Sequence, residues 1–429
     1  MENTTLLAGI IFIVMYMFIV SEKIHRTIVS MLGAILMILT GVITQEAALH
    51  HIDFNTLGLL IGMMIIVAVT GQTGLFNYIA IWSAKKANAN PKRILVYLAL
   101  ITAIFSAFLD NVTTVLLMVP VTIGITNKLN VNPIPYLIVQ IIASNIGGTA
   151  TLIGDPPNIM IGSAVKELTF VAFIQNLALI SAINLGVILA ILTFLYRKQL
   201  HTTEELKADL MALDEKAELK DKKLLKKCLS VLSLTIVGFF LHQIVHVESS
   251  TVALSGAFLL LLIASRDHSF IEHAMEKVEW TTIFFFIGLF VAVGGLIEVG
   301  IIKQIAEYGI ELTGGDVAKT SMLILWLSAI VSSFLDNIPF VATMIPLIQD
   351  MGRNMGVSNL EPLWWSLALG ACLGGNGTIV GASANLIVAG MAAEAGHNIS
   401  FVRYLKIGFP MMILTIILST IYIYLRYLI

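Results

Sequence analysis

Charge is scarce in this chain. Asp, Glu, Lys and Arg make up only 12% of its 429 residues, while 58% are hydrophobic and the mean hydropathy is +0.92. An ordinary soluble domain carries about twice that share of charge. Apolar runs of 18 or more residues recur from end to end, the mark of an all-α polytopic membrane protein. The short alternating segments that a transmembrane β-barrel needs are missing. Cysteine is nearly absent as well. Cys228 and Cys372 stand far apart, each in or beside an apolar segment, which argues against a disulfide or metal framework. The net charge of −2 says little by itself, and no nucleic-acid partner is expected. The apolar run that begins at Leu6 lacks a basic leader and a small-residue cleavage site, so it reads as a first span rather than a removable signal.

What is present is a series of spans, expected at 5–21, 26–44, 55–80, 134–165, 169–196, 226–246, 250–266, 279–300, 362–393 and 401–428. Two further apolar stretches, 93–127 and 319–348, are long enough to enter the bilayer twice. Each carries Asp–Asn near its middle, Asp110–Asn111 and Asp336–Asn337, and each is expected to be a re-entrant hairpin. The basic residues test this arrangement. With both termini outside, all but Lys166, Lys303, Lys319, Arg353 and Arg426 of the 25 Lys and Arg fall on the cytoplasmic side, as the positive-inside rule requires. The one sizeable hydrophilic stretch, 197–225, is expected to be a cytoplasmic helical linker.

The two halves on either side of that linker repeat each other. "DFNTLGLLIGMMIIV" at 53–67 matches "EWTTIFFFIGLFVAV" at 279–293, and "FSAFLDNVTTVLLMVP" at 105–120 matches "VSSFLDNIPFVATMIP" at 331–346. Both pairs are offset by 226 residues, and "GGTATLIGDPPN" at 147–158 lies 227 before "GGNGTIVGASAN" at 374–385. The expected division is a first repeat over 1–196, the linker 197–225 and a second repeat over 226–429. Five full spans plus a hairpin per repeat is an odd number of crossings, so the second repeat should be inverted. Each contains one broken helix, within 134–165 and 362–393. Inverted repeats with matching interrupted helices point to a secondary transporter and to its binding site.

The candidate site follows from what such positions cost. A carboxylate at membrane depth costs several kcal/mol, with ~2.5–3.5 the low figure, so it is normally paired, hydrated or functional. Asp110 and Asp336 suit the capping of the second hairpin arm and, beyond that, a sodium ion or proton shared with Asn111 and Asn337. Thr113 and Thr114 follow Asp110. Ser106 and Ser332, one turn earlier, read either as coupling-ion ligands or as hydroxyls bonded back to a helix carbonyl. In the broken helices Gly148, Gly154, Pro157, Gly375 and Gly381 free backbone groups, tolerated only where they line a cavity or meet a ligand. Thr149, Thr151, Asn158, Asn376, Thr378, Ser383 and Asn385 add neutral hydrogen-bonding groups. Asp155 has no twin, since Ala382 stands opposite it; it reads equally as a coupling carboxylate or as a helix cap. No Arg or Lys falls in the expected core, which disfavours a multiply charged anion. His242 and His246, with Glu248 nearby, have metal-ligand spacing but sit at an expected external span end, where wetted polar groups are ordinary. Glu298 reads as interfacial.

On these residues the chain resembles the ion transporter superfamily, above all its branch of arsenite permeases, NhaD-type sodium/proton antiporters and the melanosomal P protein. "NIGGTATLIGDPPN" at 145–158 is the most specific match. The dicarboxylate/sodium symporter branch carries Ser–Asn–Thr at its hairpin tips, where this sequence has Asp110–Asn111–Val112 and Asp336–Asn337–Ile338. The added charge argues against carboxylates. The resemblance implies a homodimer in the cell membrane with a scaffold part and a moving transport part in each protomer. It also implies elevator-type movement coupled to sodium or protons, with lipid as the surrounding partner and no other cofactor. The expected activity is secondary active transport of a small inorganic ion, by arsenite-like oxyanion efflux or other coupled anion transport. Sodium/proton exchange and a P-protein-like anion channel are the alternatives, and di- or tricarboxylate symport is less favoured. An intramembrane enzyme has little support, because the surroundings of an aspartyl protease site are missing.

Overall fold

In hydrocarbon each backbone N–H and C=O has to find its partner within the chain, which leaves helices as the economical solution for a sequence of this kind. The computed structural model describes residues 2–21, 23–242, 244–264, 268–355 and 359–429, and all regular structure among them is helical. Eight helices are long and apolar enough to cross a membrane. Two series of nine follow the same order. The first is α1 (Glu2–Ser21), α2 (Arg26–Leu39), α3 (Phe54–Gly71), α4 (Leu75–Lys86), α5 (Pro91–Phe108), α6 (Asn111–Lys128), α7 (Ile134–Thr149), α8 (Pro156–Ala164) and α9 (Leu179–Tyr196). The second is α10 (Lys222–Leu241), α11 (Ser249–Ala264), α12 (Trp280–Glu298), α13 (Ile301–Thr313), α14 (Val317–Phe334), α15 (Asn337–Met355), α16 (Glu361–Gly374), α17 (Ser383–Glu394) and α18 (Phe401–Ile423).

The boundaries correct the sequence reading in three places. The expected span 55–80 is two helices, because Gly74 takes the left-handed φ of 79° between α3 and α4. Gly300 does the same between α12 and α13, at φ 80° and again 226 positions on. Glycine pays no side-chain penalty in that region. The amphipathic helix α13 that follows was not foreseen, since "IIKQIAEYGIELT" is too polar to read as a span. The linker is also not one free helix. It forms Glu204–Met211 and a 3-10 turn at Glu215–Glu218, and it is docked. Lys85 Nζ meets Glu215 Oε2 at 2.6 Å and the Leu213 carbonyl at 2.7 Å, and Thr202 donates to the Leu129 carbonyl at 2.6 Å. Position 243 within the expected span 226–246, and positions 265–266 at the end of the span 250–266, lie outside the described residues.

Packing sorts the helices into two groups. In one, α2 lies on α12, α3 on α11, α1 on α2, and α10 on α11. In the other, α5 lies on α7, α14 on α16, α17 on α6 and α7, and α9 and α18 close the outside. Helices α4 and α13, which follow the two glycine turns, lean on α6 and α15, the second arms of the two hairpin-like pairs.

Candidate functional site

Both tips are built alike. Leu109 and Leu335 leave the helix in extended geometry while still donating to Phe105 and Val331, one turn back. Asp110 then caps α6, its Oδ1 accepting the Thr113 N–H at 2.8 Å while Oδ2 accepts the Thr113 hydroxyl. Asp336 Oδ1 accepts the Ile338 N–H at 3.1 Å. The Ser106 and Ser332 hydroxyls do not bond back to their own helices. They donate across to the carbonyls of Ser144 and Ala371, at 2.6 and 2.7 Å, stitching each tip to its broken helix. Thr151 and Thr378 return the stitch, to Ala107 and Ser333.

The breaks are held by one asparagine each. Asn158 Nδ2 donates to the carbonyls of Thr151 at 2.9 Å, Thr149 at 3.2 Å and Gly148 at 3.4 Å. Asn385 Nδ2 donates to Gly375 at 2.7 Å and Thr378 at 2.9 Å. Much of what the breaks free is therefore taken up within the chain, contrary to the expectation that those carbonyls face a ligand. The glycines are needed for contact: a Cβ on Gly148 would stand 2.6 Å from the Gly154 carbonyl, and one on Gly381 would stand 2.8 Å from that of Gly375. Pro157 lies in the first turn of α8, where its missing N–H has no helical partner to lose.

Between the two breaks sits Asn145, which the sequence reading left out of the site. Its Nδ2 donates to Asn376 Oδ1 and Asn385 Oδ1, both at 3.0 Å, and its Oδ1 accepts from Asn111 at 3.3 Å. One side chain thus ties the first tip and its break to the opposite break. Its position at the start of the matched "NIGG" block was the available signal. Thr149 donates to the Asn145 carbonyl at 2.7 Å. Two polar groups here, Thr114 Oγ1 and Asn376 Nδ2, are buried without a hydrogen-bond partner.

The three aspartates differ in their partners. Asp155 stands at the N-cap of α8 but makes no side-chain cap bond. It is 1% exposed, with Asn337 Nδ2 at 3.4 and 3.5 Å from its two oxygens. Cys372 lies beside it, the thiol 3.5 Å from Asn158 Oδ1. Among the described residues no cationic group pairs with Asp155 or with Asp110. Asp336 has one: Arg26 Nη1 meets its Oδ2 at 2.7 Å, and the Ser383 hydroxyl donates to the same oxygen at 2.6 Å. Arg26 corrects the expectation that no basic side chain reaches the core. It was read as an ordinary cytoplasmic charge because it opens a span, and nothing local to it shows that a tip 310 residues later folds onto it.

The family profile described as CitMHS, citrate transporter, matches residues 16–370. The chain belongs to the CitMHS family. An uncharacterised transporter of Mycobacterium tuberculosis is 42% identical over 428 residues, covering 99% of both chains. The P protein of Mus musculus is 35% identical over 97% of this chain, which spans 59% of that longer protein. The crystal structure of the YdaH transporter of Alcanivorax borkumensis shares the fold at TM-score 0.59 and 14% identity, over 88% of this chain and 86% of the other. The resemblance to the ion transporter superfamily and its P-protein branch holds. This CitMHS chain is a multi-pass membrane transporter, and family and fold support transport rather than catalysis.

Elsewhere in the transporter, His242, His246 and Glu248 form no group that could hold a metal ion among the described residues. Glu298 is half-exposed and meets His51 Nε2 at 3.1 Å.

Proposed function

We propose that this protein is a secondary active transporter of a small inorganic ion whose central site holds a monovalent cation or proton, with sodium/proton exchange the leading version. The observation that carries this is the buried charge balance. Among the described residues Asp110 and Asp155 have no cationic partner, and the arginine nearest the site is already spent on Asp336. Carboxylate and amide oxygens suit a hard cation. A multiply charged anion entering the same space would meet uncompensated negative charge, so arsenite-like cargo fits best as a neutral species. In this reading Asp110, Asn111 and Asp155 hold the cation, with Asp336 and Asn337 completing the site from the opposite tip.

The helix order and the matched tips support two inverted repeats, each with a re-entrant hairpin, and termini outside with the linker in the cytoplasm. The group built on α2, α3, α11 and α12 would be the scaffold, through which a second copy pairs. The group holding the site would move across the membrane as an elevator. Citrate, from the family's description, is the second reading; here it would have to arrive with cations that offset the aspartates. The test is flux in proteoliposomes against sodium, arsenite, antimonite and citrate, with internal pH recorded. Sodium-driven proton movement abolished by Asp110→Asn and Asp155→Asn supports the proposal. Citrate uptake untouched by both variants, or uncoupled voltage-dependent current of the channel kind, would reject it.

A further inference from the structure

Arg26 belongs to α2, in the first packing group, while Asp336 and Ser383 belong to the second. Few polar contacts cross that boundary, and this is the one made by a pair of opposite charges at the site itself. Asp336 Oδ2 receives Arg26 Nη1 at 2.7 Å and Ser383 Oγ at 2.6 Å, and Arg26 Nη1 also donates to Ser383 Oγ at 2.6 Å. The carboxylate's other oxygen is engaged by the Ile338 N–H. The guanidinium is further seated 5.0 Å above the ring of Phe285 on α12. Next to the triangle lies a cavity of about 260 Å³, lined by Tyr16, Ile24, Arg26, Phe334, Asp336 and Ser383. At the far wall of this region Tyr16 Oη shares a hydrogen bond of 3.3 Å with Thr343 Oγ1, again from α1 to α15. The equivalent first-tip residue, Asp110, has no such arginine among the described residues.

Asp336 Oδ2 already accepts from Arg26 and Ser383, so a cation bound at that oxygen has to displace one of them, and displacing Arg26 avoids crowding two positive charges onto one oxygen. We propose that Arg26 is a tethered counter-ion that alternates with the transported or coupling cation at Asp336. Paired, it latches the second tip and α17 onto α2 in this conformation. A cation taken up at Asp336 breaks the pair and lets the site-bearing group leave α2, so movement without a cation is blocked. This rests on the cation-coupled reading above, and the two fail separately.

One arm of the test is sodium dependence of flux by the full chain in proteoliposomes. Arg26→Gln should lower the half-saturating sodium concentration about fivefold, because an internal competitor worth roughly one exposed-to-buried ion pair is gone. Arg26→Lys should bring it only part of the way back, because an ammonium restores the charge but not the guanidinium's seat on Phe285 and its joint contact with Asp336 and Ser383. An unchanged or raised half-saturation in a glutamine variant that still transports overturns the latch. A parent protein indifferent to both sodium and a proton gradient rejects the cation-coupled reading instead, and the second arm then judges the latch alone. That arm joins Arg26→Cys to Ser383→Cys with a short bifunctional methanethiosulfonate. Transport should stop and return on reduction, with the Arg26→Cys single variant unaffected by the reagent. Flux that continues through the cross-link shows that the two groups do not separate there, and the proposal falls.

Discussion

Asp155 makes opposite predictions under its two readings. As a cap it would contribute about 1 kcal/mol, lost on substitution. As an unpaired carboxylate held for a cation it is a liability, since burial at membrane depth costs at least ~2.5–3.5 kcal/mol. The structure speaks against the first, because no backbone N–H is capped and the Asn337 amide stands at 3.4–3.5 Å, the outer limit of a hydrogen bond. Asn preserves the shape and removes the charge. Asp155→Asn should therefore raise the stability of the sodium-free protein by roughly 1–3 kcal/mol, the part of that cost which weak amide contacts leave uncompensated. Coupled flux should vanish in the same variant. Sodium should stabilise the parent by ~2.7 kcal/mol at a hundredfold excess over its dissociation constant, and the variant far less. The assay is thermal or denaturant unfolding of purified full-length protein in detergent, with and without sodium, beside proteoliposome flux. A stability loss, or no change with the sodium effect intact, would refute the reasoning. Asp110→Ala is the contrasting case: it relieves a similar burial cost but also removes a real cap on α6, so its gain in stability should be smaller than that of Asp155→Asn by about 1 kcal/mol.

The Asn145 amide should couple energetically to Asn385. A double-mutant cycle on Asn145→Ala and Asn385→Ala is expected to give ~1 kcal/mol, between the average of ~0.6 and the maximum of ~1.7 for polar pairs between helices in membranes, and a value near zero would mean that the three-way tie is not formed. Gly147→Ala would put a Cβ 2.2 Å from the Ala103 carbonyl, and Gly374→Ala one 2.7 Å from that of Ala329; both should lose ~1–3 kcal/mol of stability, the first more. In the linker, the Lys85 ammonium bonded to Glu215 holds that carboxyl below its usual value. A lowered carboxylate contributes stability above the ordinary glutamate range and loses it as pH falls through its folded value. Limited proteolysis of 197–225 should accordingly quicken on acidification, and Glu215→Gln should cleave readily at neutral pH with a flatter profile.

The helical class, the tips and the breaks were legible because they rest on local rules: apolar length, Asp before a resumed helix, Gly and Pro where a span should have neither. The repeat offset was legible for the same reason. Two failures share a cause. The Arg26 pairing and the Asn145 tie are made by residues 310 and 231 positions from their partners, and neither residue looks unusual where it stands. Arg26 sits at a span start, where basic residues are expected. Asn145 sits in a helix that reads as intact until Gly147. The docked linker was missed differently: mixed charge predicts a solvated helix unless one knows which lysine lies beneath it. The glycine turns at 74 and 300 could have been found, since both lie at the repeat offset, but an apolar run continuing past Gly74 hid the break.

The two halves repeat their stitching almost bond for bond, yet they place charge differently. Matched Ser, Thr and Asn contacts serve a common scaffold task, holding each tip on its broken helix, so they must be the same in both halves. Were the aspartates also equivalent, the site would offer a cation the same partners from either tip, and no conformation would be favoured by loading. Asp336 with its arginine, Asp110 with only a cap, and Asp155 opposite Ala382 remove that equivalence. One tip has its charge answered by the other packing group, and the other does not. The difference in free energy between conformations therefore changes with the charge carried at the site, which lets a bound ion shift the conformational balance. Restoring the symmetry should abolish it. Arg26→Gln combined with Asp155→Ala removes two of the charge differences between the halves, and this pair should yield a protein that folds yet cannot use a sodium gradient to move anything uphill.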